Sequence, residues 1–109
     1  DVTDRGLALQ AVANCVKAFG GLDILVNNAA MRNYSPAAEA SADEWQAIVG
    51  VNLVGITHYC HAALPHLRST GQGSIVNVSS CYAVKGRKGM ASGRPVGLLS
   101  QWLLDQAKH

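Results

Sequence analysis

The stretch Asp23-Ile-Leu-Val-Asn-Asn-Ala-Ala30 follows the glycine pair Gly20-Gly21, runs apolar without interruption, and then stops at two consecutive asparagines. A short apolar run of this kind, bounded by turn signals, is the pattern of a strand buried on both faces of a parallel sheet. Ser74-Ile-Val-Asn-Val-Ser79, after the breaker Gly71-Gln-Gly73, repeats the pattern and predicts a second such strand. What lies between and around these two runs decides how they are joined.

Upstream, Leu9, Val12, Val16 and Phe19 recur at helical spacing behind Thr3 or Asp4 as a cap, which predicts an amphipathic helix over residues 5–19. Between the strands, Ser41-Ala-Asp-Glu44 reads as a capping box. It opens a long helix whose apolar positions, Trp45, Ile48, Val49, Leu53, Ile56, Tyr59, Cys60, Ala63 and Leu67, persist to about Arg68, with Pro65 kinking its last turns. Met31–Ala40, containing Pro36, and the glycine-rich region around Gly86, Gly89 and Gly93 predict loops, and residues 98–107 a final helix carrying Leu99, Trp102 and Leu103. Helix, strand, helix, strand, helix in that order implies right-handed crossovers and a parallel sheet with flanking helices, an α/β fold.

Composition narrows the classes of function. The 109 residues are few for a sheet covered on both faces, and nine basic against seven acidic residues with no long basic run give no case for nucleic acid. Cys15, Cys60 and Cys81 are odd in number and widely spaced, which argues for reduced cytosolic thiols and suggests neither a disulfide framework nor a metal site. The polar start Asp-Val-Thr-Asp is no signal peptide, and no stretch is expected to approach a membrane span. A soluble, cytoplasmic protein is expected.

In open parallel sheets ligands bind beyond the carboxyl ends of the strands. Both predicted strands end there in polar residues: Asn27-Asn28 and Ser79-Ser80. An unpaired buried amide costs about 1–3 kcal/mol, so Asn27 or Asn28 either ties neighbouring strands together or meets a ligand. Asn52, one turn from Ile48 and from Ile56, falls on the apolar face of the long helix, where it is a satisfied core residue or a functional one.

Asp1-Val-Thr-Asp4, Asp23-Ile-Leu-Val-Asn-Asn-Ala29, Val51-Asn52-Leu53 and Gly73-Ser-Ile-Val-Asn-Val-Ser-Ser80, in this order and spacing, resemble the middle of a short-chain dehydrogenase/reductase from Asp1 to about Ser92. The resemblance implies a partial Rossmann-like, doubly wound parallel sheet that binds NAD or NADP. It implies an oxidoreductase acting on a small-molecule alcohol or carbonyl, a homo-oligomer in its full-length form. Asp1 and Val2 match the pair that contacts the adenine ring; Asn27, Asn28 and Ala29 match the Asn-Asn-Ala-Gly motif along the cofactor, with Ala30 in place of its glycine. Asn52 matches the asparagine whose distorted helix holds a proton-relay water. Ser80 matches the serine that hydrogen-bonds the substrate, with Ser79 structural.

Hydride transfer to a carbonyl leaves an alkoxide that needs a proton, which the family supplies from a tyrosine acidified by a lysine. That tyrosine stands about thirteen residues after the serine, a spacing that brings its hydroxyl back within reach. Here the count from Ser80 gives Gly93, and four further Gly97. Tyr82-Ala-Val-Lys85 has the wrong spacing, and Tyr82 is better suited to lining a substrate pocket; Lys85, Arg87 and Lys88 read as solvated loop charges. Residues 1–109 are therefore expected to form an incomplete dinucleotide-binding domain, lacking the N-terminal glycine-rich loop and the C-terminal strands, and inactive alone. The alternatives are a non-catalytic, degenerate member acting as a nucleotide-binding or subunit-pairing module, or an unrelated signalling α/β domain, against which Asp23 stands at the start of its strand and not at its end.

Overall fold

The structure is a computed structural model, and it describes residues 1–32 and 39–81. The first helix, α1, runs Arg5–Phe19. Asp4 caps it, its carboxylate accepting from the Leu7 N–H at 3.0 Å, and Gly20 closes it in the left-handed conformation at φ 83°. Strand β1, Ile24–Asn27, follows at once.

Ser41 opens α2, Ala42–Val49, through the capping box read from the sequence, with both reciprocal hydrogen bonds made. The helix then widens into a π-helical turn over Gly50–Val54, where the Gly55 N–H donates to the Gly50 carbonyl, and resumes as α3 over Gly55–Thr70. Gly71, at φ 71°, ends it. Strand β2, Ser74–Asn77, pairs parallel to β1 with Leu25 beside Ile75 and Asn27 beside Asn77.

One core forms between α1, α3 and one face of the sheet: Val12, Leu25, Ala62, Ala63 and Leu67 are buried together, and Val16, Leu22, Tyr59, Cys60 and Ile75 pack around them. Small residues let the elements approach closely. A Cβ on Gly73 would lie 2.5 Å from the Leu67 carbonyl oxygen, so only glycine lets β2 enter beneath the end of α3.

Four expectations need correction. The strands are not buried on both faces among the described residues: Ile24, Val26, Val76 and Val78 point away from α1 and α3, and Ile24 is 61% and Val26 55% exposed. The physical reason is that α1 and α3, whose residues form the core with the strands, lie on one side of the sheet. In α1 the buried line is Ala8 and Val12, whereas Leu9 lies exposed and Phe19 is 84% exposed; α1 meets α3, whose small Ala62 and Ala63 accept close-packed neighbours. The strands are shorter and the long helix slightly longer than their sequence patterns, because apolar character does not mark where backbone pairing ends.

The last correction concerns the long helix. Ala42–Thr70 is 29 residues of continuous helix with a window apolar enough to cross a membrane, so a stretch of span length is present. Length and composition alone give it that character. The same helix turns Ile48, Ile56, Ala62, Ala63 and Leu67 into the protein, although only 28% of its most apolar window is buried. The predicted final helix, the second loop, Tyr82, Lys85, Gly93 and Gly97 all lie outside the described residues.

Candidate functional site

Parallel pairing puts the carboxyl ends of β1 and β2 at one edge, so Asn28–Arg32 and Val78–Cys81 leave the sheet side by side. The pairing reaches one step past β2, with the Val78 N–H donating to the Asn27 carbonyl at 3.0 Å.

At this edge the asparagines divide their work. Asn27 points to the helix side, where its Nδ2 donates to Asn77 Oδ1 at 2.7 Å and lies 3.6 Å from Cys60 Sγ. It ties the two strands together, as one reading of its position required. Asn28 and Ala29 are exposed beyond the strand, free of the core. Burial pushes the Cys60 thiol above its ordinary value, with the Asn27 hydrogen bond pulling the other way.

Asn52 sits in the middle of the π-helical turn and is half-buried rather than buried. Its amide grips the backbone of Met31 in both senses: Oδ1 accepts from the Met31 N–H at 2.7 Å, and Nδ2 donates to the Met31 carbonyl at 2.8 Å. A π turn inserts one residue into the helix and re-aims the side chains there. The effect is that a polar residue in an apolar stripe reaches the segment beyond β1.

Val2 lies against the same stretch of helix. A Cβ on Gly55 would fall 2.8 Å from Val2 Cγ2, and His58 Nδ1 is 3.3 Å from the Val2 carbonyl oxygen. Asp1 Oδ1 accepts from the Thr3 N–H and hydroxyl, each at 2.9 Å, which closes the turn. Ser80 and Ser79 follow β2 in exposed positions at the shared edge. The segment Gly50–His58 thus touches the N-terminal turn through Val2 and the β1 edge through Met31.

Sequence reasoning did not single out Met31, Gly55, His58 or Asn77. Met31 acts through its backbone, which no side-chain pattern reveals, and Gly55 and His58 matter through contacts with a residue more than fifty positions away.

Among the described residues, a parallel strand pair with helices on one side and polar residues gathered at the carboxyl edge defines a protein of the Rossmann-like α/β class. Comparison with known proteins makes this specific. Residues 1–92 match the short chain dehydrogenase family, and the chain belongs to it. A 3-alpha-(or 20-beta)-hydroxysteroid dehydrogenase of Mycobacterium bovis is 40% identical over 86 residues, 79% of this chain and 33% of the relative. The crystal structure of NAD+-bound xylitol dehydrogenase superposes with a TM-score of 0.90 at 28% identity, covering 98% of this chain and 42% of that one. A gluconate 5-dehydrogenase from Burkholderia cenocepacia in complex with NADP and tartrate gives 0.87 at 28% identity, over 94% and 40%. The chain spans less than half the length of each.

Proposed function

We propose that this chain forms the central part of an NAD(P)-dependent short-chain oxidoreductase acting on a small-molecule alcohol or carbonyl, soluble and cytoplasmic, and that residues 1–109 are an incomplete dinucleotide-binding domain without turnover of their own. The observation that carries the reading is the double hydrogen bond from Asn52, in its π-helical turn, to Met31 at the carboxyl edge of β1. A polar side chain presented by a widened helix turn at the ligand edge of a parallel sheet is the arrangement the family resemblance implies at this position. The neighbours bound to NAD+ and to NADP support a nicotinamide cofactor of either kind.

In this reading Asp1 and Val2 border the adenine, Asn27 holds the sheet edge, and Asn28 and Ala29 lie along the cofactor. The cofactor supplies or accepts the hydride. Ser80 orients the substrate oxygen by a hydrogen bond, and Asn52 holds one end of a proton path. The general acid, worth about 10²–10⁴-fold, is not provided by the glycines at 93 and 97.

The test is the absorbance of reduced nicotinamide over panels of carbonyls and alcohols. The chain alone, and its Gly93→Tyr/Gly97→Lys variant, should stay nearly silent, whereas the same pair in a frame carrying the phosphate-binding loop should turn over. Dose-dependent turnover by the purified chain, abolished by Ser80→Ala, would overturn the inactivity and make Tyr82 the acid. The apolar sheet face of Ile24, Val26, Val76 and Val78 favours a second reading, a non-catalytic member that pairs with another subunit. Silence of every one of these proteins together with a stable complex with a full-length relative would support it.

A further inference from the structure

We propose that Gly55 and His58 are positioning residues for the adenine end of the cofactor, because together they fix the backbone of Val2. The inference rests on the reading above that Asp1 and Val2 border the adenine.

The two grips are different in kind and fall on the same residue. Gly55 is buried, and a Cβ built there meets Val2 Cγ2 at 2.8 Å, Val2 Cβ at 3.1 Å and the Val2 carbonyl oxygen at 3.1 Å. Two of those contacts are too close to the main chain for a rotamer change of Val2 to relieve them, so a side chain at 55 must move the turn itself. One helical turn on, His58 Nδ1 meets the Val2 carbonyl oxygen at 3.3 Å. A carbonyl can only accept, so this pair requires the proton on Nδ1. Gly55 therefore sets how near the turn comes to the helix, and His58 sets the direction of its carbonyl.

The outer side of the turn is left open. Val2 is half-buried and Asp1 exposed, while the bonds of Asp1 to Thr3 close residues 1–3 into one hydrogen-bonded turn. A hydrogen-bonded turn seated from beneath passes a displacement at its seat on to the surface it presents. Ligand positioning falls steeply with errors of about 1 Å, so the adenine end should feel Gly55 and His58 although neither touches it.

The experiment uses the isotope-labelled full chain, titrated with adenosine monophosphate and, separately, with nicotinamide mononucleotide, which has no adenine. Amide shifts of Val2 and Thr3 report the former. We expect Gly55→Ala to weaken adenosine monophosphate by about tenfold with nicotinamide mononucleotide unchanged, His58→Leu to weaken it severalfold, and His58→Asn, whose amide nitrogen stands where Nδ1 does, to restore it. If Gly55→Ala fails to fold, the contrast between His58→Leu and His58→Asn decides. Unchanged affinity in the variants, or equal loss for both ligands, would overturn the proposal and leave the cofactor reading standing. A wild-type chain whose Val2 and Thr3 amides show no saturable response to adenosine monophosphate would overturn that reading, and the proposal with it.

Discussion

Asn27 and Asn77 stand side by side on the paired strands, and the amide of the first donates to the carbonyl oxygen of the second at 2.7 Å, while Asn77 Nδ2 is buried with no hydrogen-bond partner among the described residues. The pair is therefore asymmetric. Replacing Asn27 by Leu leaves the Asn77 amide without either bond, at a cost of about 1–3 kcal/mol. Replacing Asn77 by Leu also removes an already unpaired donor, so it should cost less. The double variant should be milder than the sum of the two. Urea unfolding of the four proteins measures this, and equal single costs that add would refute it.

Asn52 carries two hydrogen bonds to one residue, so its truncation acts on Met31 more than on the helix. Asn52→Ala should lower stability by about 1–3 kcal/mol. It should also speed hydrogen exchange at the Met31 amide selectively, leaving Ala62 and Ala63 protected. Uniform loss of protection across α3 would show that Asn52 serves helix stability instead.

The Cys60 thiol is raised by burial above its ordinary 9.0. Above that ordinary value the unfolded chain releases this proton while the folded chain keeps it, so the folded form binds more protons and stability falls as pH rises. The contribution is complete below the ordinary thiol value and is lost through the alkaline range up to the raised one. Unfolding of the wild type and of Cys60→Ala from pH 7 upward, under reducing conditions, should show their stability difference shrinking with pH. A difference independent of pH would remove the thiol from the account.

Ile24, Val26, Val76 and Val78 present an apolar strip on the sheet face that no described helix covers. Such a strip is an association surface unless another element covers it. The chain should self-associate at micromolar concentration and bind an apolar dye, and Val26→Lys with Val78→Glu should reduce both while leaving the helix-side core intact. A compact monomer by sedimentation, with no dye binding, would mean that the strip is covered.

The capping box, the glycine stops and the apolar runs were legible in residues 5–80 because each is a local signal: Ser41 and Glu44 bond to their own turn, and Gly71 ends a helix by its own φ. The family motifs were legible for the same reason, as side chains at fixed spacing. Which alternative an asparagine followed was not. Asn27 and Asn52 look alike in sequence, polar breaks in apolar patterns, yet one closes the sheet on Asn77 and the other leaves its helix for Met31. That choice depended on the π turn at Gly50–Val54 and on parallel register, which bring together residues from distant parts of the chain. Likewise the sequence by itself determined that Ile24 and Val26 would be strand residues, while only the tertiary structure decided which face of the strand was covered. Strand alternation distinguishes two faces but does not say where the helices will pack, and a buried amide takes whichever partner the fold brings within reach.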